Sequence, residues 1–223
     1  MLTIQGLSYA YSDRFLFKNL SFHLNPGEVI KISGANGSGK TTLIKILTGI
    51  LKNYEGKILL DENNNESQKN LSNEIFYMGH KNALKENLTV QENLQHDFRL
   101  LNSNKNELDS YLEKLNLKEY LLTKVSELSE GQKRKIILAC CLASNSSIYL
   151  LDEPFINLDT ESQEIIMEAI DSKILNGASI IFTSHDQNIK NSVELNLNDY
   201  KSWISQKLFF LEKYWSILKS LRT

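Results

Sequence analysis

Gly34-Ala35-Asn36-Gly37-Ser38-Gly39-Lys40-Thr41, followed by Thr42, has the spacing G-x-x-x-x-G-K-[ST]. That spacing is the phosphate-binding P-loop. Its glycines let the backbone curl until successive N–H groups point at one anion. Lys40 adds a point charge for the β- and γ-phosphates, and the Thr41 hydroxyl is placed to ligate Mg²⁺. A helix opening near Gly39 turns the positive end of its dipole toward the same anion. A second set of chemical groups lies far downstream. Ile148-Tyr149-Leu150-Leu151 is an apolar run that ends in Asp152 and Glu153. Acids at the C-terminal end of a buried strand stand where ligands bind in open α/β sheets. Asp152 suits Mg²⁺, reached through water, and Glu153 suits polarising an attacking water. The third set is Leu128-Ser129-Glu130-Gly131-Gln132. Ser129 is placed to cap a helix there, and the amides beside Gly131 form a second anion site.

These groups need elements to hold them. Residues 29–33 form a strand entering the P-loop, and residues 40–48 form the helix leaving it. Residues 2–9 and 15–24 form two further strands around a polar turn, and Asn25-Pro26-Gly27 is a turn signal. Short strands are expected at 56–60, 75–78, 148–151 and 179–183. Residues 61–73 are polar and Asn-rich, a surface loop. Residues 89–101 and 106–117 carry apolar side chains at helical spacing, with Leu108, Leu112 and Leu115 as examples. Residues 131–143 and 161–175 are also helical. Strands alternating with helices predict an α/β fold with a mainly parallel sheet and an antiparallel N-terminal part. The middle of the chain, about 80–145, is an inserted, mainly helical subdomain. Residues 193–197 alternate as a last strand. Residues 201–223 space Ile204, Leu208, Leu211, Trp215 and Leu218 as an amphipathic helical tail. Packing on the domain or a partner is its plainest use. Its Lys201, Lys207, Lys213 and Lys219 would also serve at a membrane surface.

The chain has 223 residues, enough for one large domain, and 41% hydrophobic residues support a core. A net charge of −2 gives no basic field of the kind nucleic acid requires. No apolar run approaches the ~18 residues of a spanning helix, and the N-terminus lacks a secretory pattern. Cys140 and Cys141 are adjacent on an expected helix, where packing in a reduced, cytoplasmic protein explains them better than metal or haem ligation.

Together the three motifs resemble the ATP-binding-cassette superfamily, whose signature is usually L-S-G-G-Q. Here Glu130 takes the place of the first glycine. The resemblance covers almost the whole chain. It implies ATP and Mg²⁺ as ligands and hydrolysis with Glu153 as the base. It implies that Tyr11 stacks on adenine, a contact worth about 1–3 kcal/mol. Asn157-Leu158-Asp159 matches the D-loop that crosses a dimer interface, although Asp159 would equally cap a helix. Ser184-His185-Asp186 matches the switch histidine that contacts the γ-phosphate. The implied assembly is two copies closed head to tail around two ATP molecules. Leu128, Ser129, Glu130, Gly131 and Gln132 of one copy then complete the site of Lys40, Thr41, Asp152 and Glu153 in the other. Its movement is passed to an integral-membrane subunit, which places the chain on the cytoplasmic face of the cell membrane.

One departure is informative. The superfamily usually has glutamine after the strand at 75–78, in a loop that senses Mg²⁺ and couples to the membrane partner. This chain has Gly79-His80-Lys81. Imidazole cannot present an amide's oxygen and NH₂ together. The stretch from Tyr77 to Leu94, with its Gly79-His80 pair and Glu92-Asn93-Leu94, is similar to the ATP-binding subunits of bacterial haem exporters in cytochrome c maturation. That resemblance implies haem export. The rival readings are the ATPase of a transporter with another cargo and a soluble cassette ATPase of the iron–sulfur assembly type. A third is a regulatory domain that binds ATP without hydrolysing it, which Glu153 and His185 argue against.

Overall fold

The computed structural model describes residues 1–11, 14–60, 74–98, 104–184 and 187–201. In chain order the elements are β1 (Leu2–Tyr11), β2 (Arg14–Leu24), β3 (Val29–Ser33), α1 (Lys40–Leu47), β4 (Glu55–Leu60) and β5 (Ile75–Met78). There follow α2 (Val90–Phe98), α3 (Lys105–Lys114), α4 (Glu130–Ala143), β6 (Ile148–Asp152), α5 (Thr160–Leu175), β7 (Ser179–Thr183) and β8 (Val193–Asn196).

The strands form two sheets. The first is antiparallel in the order β2-β1-β4, with Leu2 opposite both Leu24 and Leu60. Its strands are mixed in polarity, so one face can meet water. The other face buries Leu2, Ile4, Leu7, Phe17, Leu20, Ile58 and Leu60. That face packs on Leu43, Ile44 and Leu47 of α1 and on Ile30 and Ile32 of β3. The second sheet is parallel in the order β5-β6-β7-β3-β8. Every residue of β6 and β7 is buried. This is why both read as continuous apolar runs rather than as alternation. The register sets Asp152 beside Thr183, and Thr183 beside Ile32. The chemistry-bearing ends of β3, β6 and β7 therefore share one edge of the sheet.

Helices α2, α3 and α4 fill the middle of the chain. Leu94, Leu108, Leu112, Leu115 and Leu117 join Ile136 and Cys140 of α4 in one core with Tyr149 and Phe182 of the sheet. Cys140 and Cys141 are both buried, and burial pushes the Cys141 thiol pKa up. The apolar spacing predicts α3 as far as 117, but the helix stops at Lys114. Asn116 adopts a left-handed φ of 56°. The Leu117 and Asn116 amides then bond back to the Leu112 and Glu113 carbonyls at 2.8 and 3.0 Å. That is a Schellman closure, with asparagine in the usual place of glycine. Leu115 and Leu117 stay in the core although they have left the helix.

Glu92-Asn93-Leu94 also acquires a local meaning. Thr89 and Glu92 form a reciprocal cap at the start of α2, the Thr89 amide donating to Glu92 at 2.8 Å and the Glu92 amide to Thr89 Oγ1 at 3.2 Å. Asn93 is buried, and its side chain accepts from the Lys85 amide at 2.7 Å and donates to the Lys85 carbonyl at 3.0 Å. It thus bolts the segment after β5 to α2. The 61–73 loop and the 201–223 tail helix lie outside the described residues, apart from Lys201.

Candidate functional site

The P-loop follows β3 and opens α1. Gly34, Gly37 and Gly39 have φ of 141°, 74° and 102°, values that favour glycine. Gly39 stands at the N-cap of α1 and has no side chain with which to cap the amides of the first turn. Lys40 Nζ donates to the Gly34 carbonyl at 2.7 Å, which holds the ammonium over the loop. Ser38 is buried, and its Oγ has no hydrogen-bond partner among the described residues.

Asp152 and Glu153 end the neighbouring strand but one. Asp152 is 2% exposed. Its Oδ1 accepts from the Thr183 hydroxyl at 2.7 Å, while Oδ2 has no partner among the described residues. Thr183 Oγ1 in turn accepts from the Glu153 amide at 2.9 Å. One hydroxyl on β7 therefore ties the Asp152 carboxylate to the Glu153 backbone. Glu153 has φ of 52°, a left-handed conformation that costs a non-glycine residue about 1–2 kcal/mol. Its surroundings impose that conformation. Arg134 of α4, 2% exposed, donates through Nη2 to the carbonyls of both Asp152 and Glu153. Through Nη1 it donates to the Gly79 carbonyl at 2.9 Å and the His80 carbonyl at 3.4 Å. Burial lowers the Arg134 pKa, and the two carboxylates oppose that shift.

These groups line one cavity of about 450 Å³, formed by residues including Gly37, Lys40, Thr41, His80, Asp152 and Glu153. The unpartnered buried oxygen of Asp152 and the Thr41 hydroxyl belong to residues lining the same cavity, and hard oxygens of this kind suit Mg²⁺. Glycines at positive φ beside a lysine suit a polyphosphate.

The signature segment lies elsewhere on the same chain. Ser129 caps α4, its Oγ accepting from the Gln132 amide at 3.2 Å, and Gln132 Oε1 accepts from the Ser129 amide at 2.9 Å. A Cβ at Gly131 would stand 2.5 Å from the Asn157 carbonyl oxygen. Glycine is therefore required there by close approach of the segment before α5. Asp159 caps α5 through the Ser162 amide at 2.8 Å and pairs with Lys135 of α4. Both contacts hold its carboxyl below the ordinary range.

Residues 17–156 match the ABC transporter family. The chain belongs to that family. An ABC cassette thus explains the two glycine-bearing helix starts and the acid pair. Among its relatives are cytochrome c biogenesis ATP-binding export proteins. That of Reclinomonas americana is 34% identical over 208 residues, covering 91% of this chain and 93% of the relative. That of Wolbachia pipientis wMel is 36% identical over 83% of this chain and 89% of its own. An ABC transporter ATP-binding protein from Pyrococcus furiosus superposes with a TM-score of 0.76 at 28% identity, covering 90% of this chain and 99% of that one. A bacterial ABC transporter cassette solved as a dimer shares the fold, with a TM-score of 0.75 at 23% identity over 88% and 95% of the two chains.

Within this ABC cassette the structure gathers Asn36, Gly37, Ser38, Gly39, Lys40, Thr41, Thr42, His80, Asp152 and Glu153 around one cavity. Tyr11, at the end of β1, is 72% exposed and is not among the residues lining it. No signature residue lines it either. His185 lies outside the described residues. Arg134 and Thr183 escape the sequence reading. Lys133-Arg134-Lys135 looks like a solvated basic run, and only packing shows that Arg134 is fully buried. Nothing local in the sequence marks Thr183 as the residue that joins the Asp152 carboxylate to the Glu153 backbone.

Proposed function

We propose that the chain is the ATP-hydrolysing subunit of a membrane exporter in cytochrome c biogenesis, with haem as the cargo. The relatives named for cytochrome c biogenesis export carry this reading, because they match nearly end to end. The placement of His80 supports it. His80 lines the P-loop cavity and also an adjoining groove of about 390 Å³ with Lys81, Asn82, Glu86, Lys133 and Asn157. A residue that borders both is suited to pass the state of one to whatever docks at the other.

In this mode residues 1–200 act as one nucleotide-binding domain, with the helical subdomain at 80–145, and bind at the cytoplasmic face of the membrane. No helix among the described residues is long and apolar enough to cross it, so an integral-membrane subunit supplies the path. The P-loop amides and Lys40 bind the phosphates of ATP. Tyr11 stacks on the adenine. Thr41 and Asp152 would hold Mg²⁺, the latter through water. When bound, the ion neutralises charge on the transferred phosphate. Glu153 accepts the proton of the attacking water, and His185 contacts the γ-phosphate. The signature of a second copy closes the site. Ser129 and Gly131 are not among the residues lining their own chain's cavity, which supports that role. Asp159 contributes at the same dimer interface.

The test is made in cells. Strains carrying Lys40→Ala or Glu153→Gln should lack mature c-type cytochromes and keep b-type cytochromes. Normal covalent haem staining in a hydrolysis-dead strain would overturn the cargo and leave the ATPase reading intact.

A further inference from the structure

Glu130 puts a carboxylate on the first turn of α4. Its neighbours Ser129 and Gly131 are the groups proposed to meet the ATP of a second copy. A carboxylate at that end of a helix is attracted by the same dipole that draws a phosphate, and it repels the phosphate. Left to itself it would compete for the site. The structure turns it aside with two contacts. Lys133, one turn along α4, donates to Glu130 Oε1 at 2.9 Å. Asn82, in the loop after β5, donates through Nδ2 to Oε2 at 3.0 Å. Both oxygens are therefore engaged, by residues that line with Glu130 the groove beside the P-loop cavity. The clamp is itself anchored. The Lys133 side chain is largely buried and lies 3.8 Å from Glu86. Asn82 Oδ1 accepts from Arg134 at 3.5 Å. The Lys133 contact holds the Glu130 carboxyl below its ordinary range and raises the Lys133 ammonium.

We infer that Lys133 is a positioning residue: it holds the Glu130 carboxylate off the signature amides and so sets how tightly the paired subunits hold ATP. This rests on the reading of the signature as a contact to the second copy's nucleotide. Lys133 touches neither nucleotide nor water in the reaction. Its effect passes entirely through Glu130.

The experiment measures ATPase kinetics of the purified full chain. Lys133→Met keeps the apolar stem and removes the charge, and its melting temperature is checked alongside. It should raise KM for ATP about 10-fold, within the range seen for coupled neighbours, and leave kcat within about two-fold. Added salt should shrink the defect, because repulsion between exposed charges is screened. Lys133→Arg should restore KM. Adding Glu130→Gln to Lys133→Met should return KM to that of Glu130→Gln alone, because the offending charge is gone. An unchanged KM in Lys133→Met would overturn the inference. So would a defect indifferent to salt and to Glu130→Gln. Ser129→Arg in the same assay separates the inference from the reading beneath it. Intact turnover in Ser129→Arg removes the signature from the nucleotide. Lost turnover there, beside a silent Lys133→Met, removes only the clamp.

Discussion

Among the described residues two of the motif-bearing helix starts contain glycine, and they are built on opposite plans. At α1 the glycines are needed for their dihedral angles, and Gly39 leaves the first turn without a side-chain cap. At α4 the glycine is needed for space, because the Asn157 carbonyl presses on it, and a reciprocal Ser129–Gln132 cap ties up the amides of those two residues. The first plan spends folding stability to leave donors facing a cavity of its own chain. The second ties part of its first turn into its own cap. A glycine in a motif therefore says little until one knows which of the two constraints it meets. An open end should lose ligand when altered, and a close-packed, capped end should lose fold as well.

The largest effect belongs to the open end. Lys40→Ala should abolish turnover and the rise in melting temperature with ATP. Saturating ligand normally contributes about 2.7 kcal/mol at a hundred times Kd. Retention of that shift would remove α1 from phosphate binding. Glu153→Gln should bind ATP as before and turn over about 10²–10⁴-fold more slowly, the worth of a positioned base. With ATP and Mg²⁺ it should elute as a dimer in size-exclusion chromatography, and without them as a monomer. Arg134→Ala acts at the other helix. It strips four backbone carbonyls of a buried cationic donor, and should cost about 3 kcal/mol in denaturant unfolding. A loss below about 1 kcal/mol would mean that the carbonyls find water instead. The smallest pair compares the glycines directly. Gly131→Ala should destabilise the ligand-free chain by about 1–3 kcal/mol through overpacking. Gly37→Ala meets nothing within 4 Å at its Cβ, so it should cost only the left-handed backbone penalty of about 1 kcal/mol. Equal losses would erase the distinction between the two plans.

What the sequence made legible was what is local. The P-loop, the apolar strand ending in Asp152 and Glu153, and the Ser129 and Asp159 caps each depend on neighbours within a few positions. The α/β order followed from alternation of elements. Arg134 was hidden because its partners lie 18 to 55 positions away, and a charge between two lysines reads as surface. Thr183 was hidden for the same reason, since its partners are on β6. The end of α3 was misread because Leu115 and Leu117 keep the apolar rhythm beyond the last helical turn. Glu92-Asn93-Leu94 showed the converse. A pattern noticed as a family resemblance proved to be a cap, a bolt and a core residue.

The separation of Ser129 and Gly131 from the cavity of their own chain makes the proposed catalyst sensitive to how crowded it is. In the proposed mode a lone subunit holds only half of the closed site. At low concentration its turnover should rise with the square of the amount present, so that stray copies waste little nucleotide. On the proposed membrane partner, two copies docked side by side would replace that encounter with a local concentration on the millimolar scale typical of short tethers. The fold then needs no separate inhibitor. Distance between copies serves as the brake, and assembly releases it.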